Sequence, residues 1–202
     1  MNIFAYLKEL KDQFFDCSPF FDFVRDILDP AARNLQQISN RRKRNETRIL
    51  DIGCGTGRLI NLPGCDTYIG IDVNSHFVTY LNKRRPQNAH LFLMSADYLG
   101  FQERSLDLVV MLDLTHHLSD RQVIEAINQV KRIADRHIIV IDPVRGKGSY
   151  LRNMLYNLDR GQYIRTFKEM IELIKSVSTI EEAALFKSGL YIKCCLLLAA
   201  CC

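Results

Sequence analysis

The sequence predicts an α/β protein: a three-layer sandwich on a mostly parallel seven-stranded sheet, with helices on both faces and an antiparallel edge strand. Three observations predict it. From residue 48 onward short apolar runs alternate with amphipathic stretches, the pattern of a parallel sheet whose strands are joined by helices. A glycine-rich turn follows the first of those runs. The last two runs are separated only by Lys187-Ser188-Gly189, too short for a helical crossover, so they must pair antiparallel at one edge.

Each element follows in order. Residues 2–40 carry Phe4, Leu7, Leu10, Phe14, Phe20, Phe23, Val24, Ile27 and Leu28 at helical spacing, punctuated by Pro19 and Pro30. Arg48–Ile52 is the first strand, and the turn after it should open a helix containing Arg58, Leu59 and Ile60. Thr67–Asp72 is the second strand, 75–85 a helix, and His90–Met94 the third strand. Leu106–Leu112 is a fourth strand dense in β-formers. Residues 119–133 form an amphipathic helix capped by Ser119, with Val123, Ile124, Ile127, Val130 and Ile133 turned inward. His137–Asp142 is the fifth strand, stopped by Pro143. Stretches 147–158 and 166–177 read as helices, and 180–186 and 190–199 as the closing strands. The 202 residues fit one domain: an N-terminal helical cap (1–46), a ligand-binding core (47–142), then lid helices and the strand pair (143–202).

Composition narrows the function classes. The net charge of +4 is too small to imply nucleic acid without clustering, and the one dense basic run, Arg41–Arg44, reads as a solvated linker. The seven cysteines show neither C-x-x-C spacing nor histidine partners, so no metal site is expected. Their odd count, and an N-terminus with no basic-then-apolar leader, suit reduced thiols in a cytoplasmic protein. The run Cys194–Cys202 is too short to span a bilayer, so no membrane association is expected.

The residues that carry chemistry fall at the carboxyl ends of strands, where an open parallel sheet binds ligands. Gly53, Gly55 and Gly57 permit positive φ and let a ligand lie against the backbone. Their spacing is G-x-G-x-G, whereas dinucleotide sites use G-x-G-x-x-G. Asp51, two residues earlier, would repel a pyrophosphate and suits an ammonium-bearing ligand. Asp72 ends the second strand about 20 residues on, where a carboxylate accepts ribose hydroxyls.

Leu50-Asp51-Ile52-Gly53-Cys54-Gly55-Thr56-Gly57 resembles the first motif of the class I S-adenosylmethionine-dependent methyltransferases. Tyr68–Asn74 resembles their second motif, Ser95-Ala96-Asp97 their third, and Ser105–Val110 with His116-His117-Leu118 their fourth. Order and spacing agree over residues 47–142. The resemblance implies S-adenosylmethionine as cofactor, with Asp51, Gly53 and Gly55 at its methionine end and Asp72 at its ribose. It also implies Val73 and Tyr98 beside the adenine, Asp97 on the adenine amino group, and the backbone near Met111 close to the sulfonium. Arg132-Ile133-Ala134-Asp135-Arg136 departs from the family in lacking Pro-Gly, which bears on packing rather than on the cofactor.

Methyl transfer needs alignment and, for a hydroxyl or protonated amine, a base. His116, His117 and Asp113, just past the fourth strand, are the candidates. Tyr163 and Arg165 are candidates for binding the acceptor, with Arg165 suited to an anion, and the N-terminal aromatics Tyr6, Phe14, Phe15, Phe20, Phe21 and Phe23 could cover the cofactor. Leu112-Asp113-Leu114-Thr115 is not the Asn/Asp-Pro-Pro-aromatic motif of base-amino methylation, Asp142-Pro143 follows a different strand, and no Pro-Cys nucleophile occurs. A small-molecule acceptor is therefore expected: a hydroxyl or carboxyl of a metabolite, lipid or sugar intermediate. The rivals are a tRNA or rRNA methyltransferase using Arg41–Arg44 and Lys83–Arg85, a catalytically silent methyltransferase-like binding protein, and a nicotinamide dehydrogenase.

Overall fold

A computed structural model describes residues 29–146 and 162–200. The predicted helices before residue 29, the N-terminal aromatics and the helix at 147–158 lie outside the described residues.

Seven strands form one sheet: β1 (Arg48–Ile52), β2 (Thr67–Asp72), β3 (Ala89–Leu93), β4 (Leu106–Leu112), β5 (Ala134–Pro143), β6 (Ile180–Ser188) and β7 (Tyr191–Ala199). Their order is β3-β2-β1-β4-β5-β7-β6. The first five run parallel, and β7 pairs antiparallel with both β5 and β6. The closing pair lies at one edge as its short connection requires. Within it β7 is the reversed strand, inserted beside β5, and β6 is the margin. The order reverses at β1, which has β2 on one side and β4 on the other. The carboxyl ends of β1, β2 and β4 therefore open onto a common crevice.

Helices cover both faces. On one, α3 (Asp120–Ile133) and α4 (Phe167–Lys175) bury Val123, Ile127, Val130, Met170 and Ile174 against Leu50, Val109, Ile138 and Leu196. On the other, α1 (Ala31–Arg41) and α2 (Ser75–Asn82) bring Ile38, Val78 and Leu81 onto Ile49, Tyr68, Leu108 and Ile139. The sequence signals act as capping chemistry requires: Ser119 with Gln122, and Thr166 with Glu169, both close full capping boxes.

One expected helix does not form. After Gly57 the chain makes successive tight turns, with Ile60 N–H donating to Gly57 O and Leu62 N–H to Leu59 O. Pro63-Gly64 follows too soon for a helical nucleus to propagate. Leu59 and Leu62 are nevertheless buried, so the turn still covers the sheet. The missing Pro-Gly before β5 has a visible substitute. The α3 C-cap Ala134 is extended (ψ 133) and already pairs with Leu106, while the Arg132 guanidinium donates to Leu99 O and Phe101 O. The basic run is not a solvated linker throughout. Arg41 ends α1 with its side chain 8% exposed and pairs with Glu182 at 2.5 Å, and Arg42 donates to Gly64 O.

Candidate active site

The glycine-rich turn is built from its own strand pair. Gly53 and Cys54 N–H both donate to Ile71 O, and Gly57 N–H to Cys54 O. Gly53, Gly55 and Gly57 have φ of +71°, +51° and +82°. Their surroundings differ. A Cβ on Gly53 would meet Leu114 Cδ1 at 2.9 Å and one on Gly57 would meet Leu81 Cδ2 at 2.8 Å, whereas at Gly55 the nearest atom among the described residues is Gly53 O at 4.0 Å. A methyl group at Gly53 or Gly57 would have to displace the leucine end it meets, whereas among the described residues nothing crowds Gly55.

Asp72 organises the rim. Its Oδ2 accepts from Gly55 N–H at 2.9 Å and its Oδ1 from Asn74 N–H at 2.8 Å. A carboxylate offers about four lone-pair sites, so two accepted bonds leave capacity for hydroxyl donors. Asp51 lies beneath the turn, 2% exposed, and accepts the Tyr68 hydroxyl at 2.7 Å. Burial and the neighbouring Asp51 raise the Tyr68 phenol well above its ordinary range, keeping it a donor. Beyond β2 and β3, Val73 (71% exposed), Tyr98 (79%) and Asp97 stand exposed after the carboxyl ends of their strands. Among the described residues, the uncrowded backbone at Gly55, the spare acceptor capacity of Asp72 and the exposed Val73 and Tyr98 fit an adenosine-bearing ligand.

Met111 sits between Ile52 and Val140 in the parallel ladder, one residue from the carboxyl end of β4, with its side chain fully buried. Cys54 is buried too, and its thiol is pushed above the ordinary range by burial and by Asp51 and Asp72. It packs beneath the turn, with its Sγ 3.1 Å from where a Gly70 Cβ would be.

Past β4 the chain turns sharply at Asp113, a non-glycine residue with φ of +55° whose N–H donates to Ile141 O. A single 3-10 turn, Thr115–His117, follows. Asp142 at the end of β5 holds this turn. Its Oδ2 accepts from Thr115 N–H at 2.5 Å and from the Thr115 hydroxyl, and its Oδ1 faces His116 Nδ1 at 2.5 Å. Burial alone would raise the Asp142 carboxyl; His116 and Thr115 outweigh that and hold it below the usual carboxylate range. His116 is buried, and the exposed ring of His117 lies 4.1 Å from it, centroid to centroid.

Two sequence-derived candidates change meaning. Arg165 is not an open cation for an acceptor: its guanidinium donates to Asp120 Oδ1, Thr115 O, Leu118 O and Tyr163 O. It clamps the histidine turn from outside, beside Tyr163, which is 42% exposed and donates its N–H to His116 O. Asp113 is not an isolated carboxylate either. Lys193 Nζ lies 2.6 and 2.9 Å from its two oxygens and Arg58 Nη1 3.3 Å from one of them. Burial, opposed by Lys193 and reinforced by Asp29, raises its pKa.

Sequence reading missed Asp142, Lys193, Arg58 and Asp29 as members of this edge. One signal was present: Lys193 interrupts the apolar run Tyr191–Ala199, and a lysine inside a buried strand needs a partner.

The strand order and the glycine-rich turn after β1 define a class of protein: doubly wound α/β proteins, which bind ligands beyond the carboxyl ends of their strands. Residues 49–136 match the family model described as a methyltransferase domain. An uncharacterized protein of Methanocaldococcus jannaschii is 24% identical over 158 residues, 75% of this chain and 67% of that one. An uncharacterized methyltransferase of Schizosaccharomyces pombe is 27% identical over 151 residues, 67% of this chain and 52% of that one. The chain thus spans about two thirds of the first relative's length and half of the second's. Among solved structures, magnesium protoporphyrin IX methyltransferase of Synechocystis PCC 6803 with bound S-adenosylhomocysteine superposes with a TM-score of 0.69 at 16% identity, covering 96% of this chain and 100% of that one. A SAM-dependent methyltransferase of Aquifex aeolicus gives a TM-score of 0.64 at 18% identity, over 88% and 93%. Residues 49–136 are thus similar to a methyltransferase domain, and the sheet has the fold of the solved methyltransferases.

Proposed function

We propose that this enzyme methylates a hydroxyl of a small-molecule acceptor, with His116, ordered by Asp142, taking the proton. One observation carries the reading: a buried carboxylate at the end of β5 fixes a histidine at the end of β4, beside the crevice. Asp142 on Nδ1 selects the tautomer whose Nε2 is the basic nitrogen. When bound, S-adenosylmethionine supplies a methyl on a sulfonium that leaves as a neutral thioether. The protein's part is alignment and proton removal, which for a positioned base contributes about 10²–10⁴ in rate.

Gly53, Gly55 and Asp51 would take the methionine end, Asp72 the ribose, Val73 and Tyr98 the adenine, and Asp97 its amino group. The engagement of Arg41, Arg42 and Arg85 with protein acceptors supports a small molecule over RNA. So does the commitment of Arg165, Arg58 and Lys193 to protein acceptors, which favours a hydroxyl over a strongly anionic acceptor.

Transfer of a labelled methyl to fractionated metabolite extracts would identify the acceptor class. Against that acceptor, His116→Gln and Asp142→Asn should each lower turnover about a hundred-fold while S-adenosylhomocysteine affinity stays within about two-fold. Equal losses in turnover and affinity would assign the pair to packing.

A further inference from the structure

Four charged side chains close a ring behind the crevice. Asp29 pairs with Arg58 (2.9 Å) and with Lys193 (2.6 Å); Asp113 pairs with Arg58 (3.3 Å) and with Lys193 (2.6 Å). Asn34 Oδ1 lies 3.4 Å from Lys193 Nζ, its amide donates to Asp29 at 3.2 Å, and the Ser188 hydroxyl also donates to Asp29. The Arg58, Asp29 and Lys193 side chains are 7%, 5% and 2% exposed, and only Asp113, at 25%, reaches the crevice. Among the described residues the ring pairs two acids with two bases.

Buried ion pairs contribute little net stability against apolar packing of the same volume, and where they are retained the better reason is a fixed arrangement. Here the arrangement is specific. Arg58 directly follows Gly57, the last glycine of the cofactor turn, and Asp113 directly follows β4 in the left-handed conformation, which aspartate enters more readily than most side chains. Lys193 stands on β7 opposite Pro143, 80 residues from Asp113, and is the cation that holds both Asp113 oxygens.

We propose that Lys193 is a positioning residue for cofactor binding: through Asp113 and Arg58 it fixes the glycine-rich turn against the end of β4. The inference rests on that turn being the cofactor's seat. Removing the Lys193 ammonium leaves Asp29 and Asp113 with Arg58 as their shared counter-charge. The turn at Asp113 loosens, and Arg58 shifts toward the acid that remains better desolvated. The cofactor turn then loses its anchor at Gly57 while the sheet beneath stays paired.

The test is calorimetric titration of S-adenosylhomocysteine into the parent, Lys193→Met and Lys193→Gln, with amide exchange followed by mass spectrometry on the unliganded proteins. Both variants should bind at least ten-fold more weakly. Exchange should accelerate in peptides spanning residues 53–62 and 112–115 and stay unchanged in β5. Adding Asp113→Asn to Lys193→Gln should cost little further affinity, because both substitutions break one path. Val130→Ala, a cavity on the far face of the sheet, should lower the melting temperature without changing affinity. Lys193 variants that bind within two-fold of the parent would overturn the proposal, as would exchange that rises evenly across the chain. Should Lys193→Met fail to fold, Lys193→Gln decides it. A parent that binds no S-adenosylhomocysteine would refute the cofactor seat itself, a different failure.

Discussion

Gly55→Ala and Gly57→Ala put the same methyl group on two residues of one turn, and the structure predicts opposite consequences. At Gly55 the backbone has φ of +51°, inside the small left-handed region open to alanine, and among the described residues the new Cβ has no neighbour closer than 4.0 Å. The left-handed conformation costs about 1 kcal/mol, partly offset by the lower entropy of the unfolded chain, so the net loss is about 0–1 kcal/mol. At Gly57, with φ of +82°, the Cβ falls 2.8 Å from Leu81 Cδ2, a buried side chain of α2. Overpacking adds about 1–3 kcal/mol there, for a total of about 2–4 kcal/mol. At about 2–4 °C per kcal/mol for a chain of this size, Gly55→Ala should melt within about 4 °C of the parent and Gly57→Ala about 5–15 °C lower. Affinity should separate them the other way. The open space over Gly55 is where the cofactor's methionine end would lie, so the methyl group should weaken S-adenosylhomocysteine binding by about 1.4–2.8 kcal/mol, ten- to a hundred-fold. Differential scanning fluorimetry and calorimetric titration measure both quantities. If Gly55→Ala binds with parental affinity, the cofactor does not lie against that glycine and the reasoning fails.

Three further outcomes follow from the same geometry. Asp72→Ala removes the acceptor for Gly55 and Asn74 N–H and the proposed ribose contact; it should lower stability by about 1–2 kcal/mol and cofactor affinity by about 1–3 kcal/mol, and unchanged affinity in titration would dismiss the ribose role. Arg165→Ala strips donors from Thr115 O and Leu118 O and should cost about 2–3 kcal/mol in urea unfolding with cofactor affinity intact; an unchanged midpoint would mean the clamp is idle. Asp29 is lowered from 3.8 to about 2: burial would raise it, but Lys193 and Arg58 outweigh that. A depressed carboxylate contributes stability above its unfolded value, about 2 kcal/mol here, and loses it as pH falls from about 4 toward 2. The unfolding free-energy gap between the parent and Asp29→Asn should therefore narrow from about pH 6 to about pH 3; a constant gap would show that Asp29 carries none of the acid sensitivity.

Much of the framework was legible in the sequence because it depends on near neighbours. The strand Leu106–Leu112 and the helix ending at Ile133 have the limits their periodicity and caps predict, since capping and amphipathicity act within a few residues. The glycine-rich turn was equally readable: positive φ is a local demand. The helix expected after it was not formed because Pro63-Gly64 truncates it, a local signal outweighed by expectation from the motif. Helices and aromatics proposed for residues before 29 and at 147–158 lie outside the described residues.

What the sequence by itself determined was the parallel sheet, the glycine-rich turn after β1 and the acid that ends β2, each set by spacing along one chain segment. Only the tertiary structure decided what the charged groups do. Asp29 meets Lys193 across 164 residues, Asp142 meets His116 across 26, and Arg165 reaches Thr115 across 50. A side chain's charge is written in the sequence, but its partner is chosen by which strand ends fold together. Burial then makes that choice binding, because an ionised group taken from water must be paired where it lies.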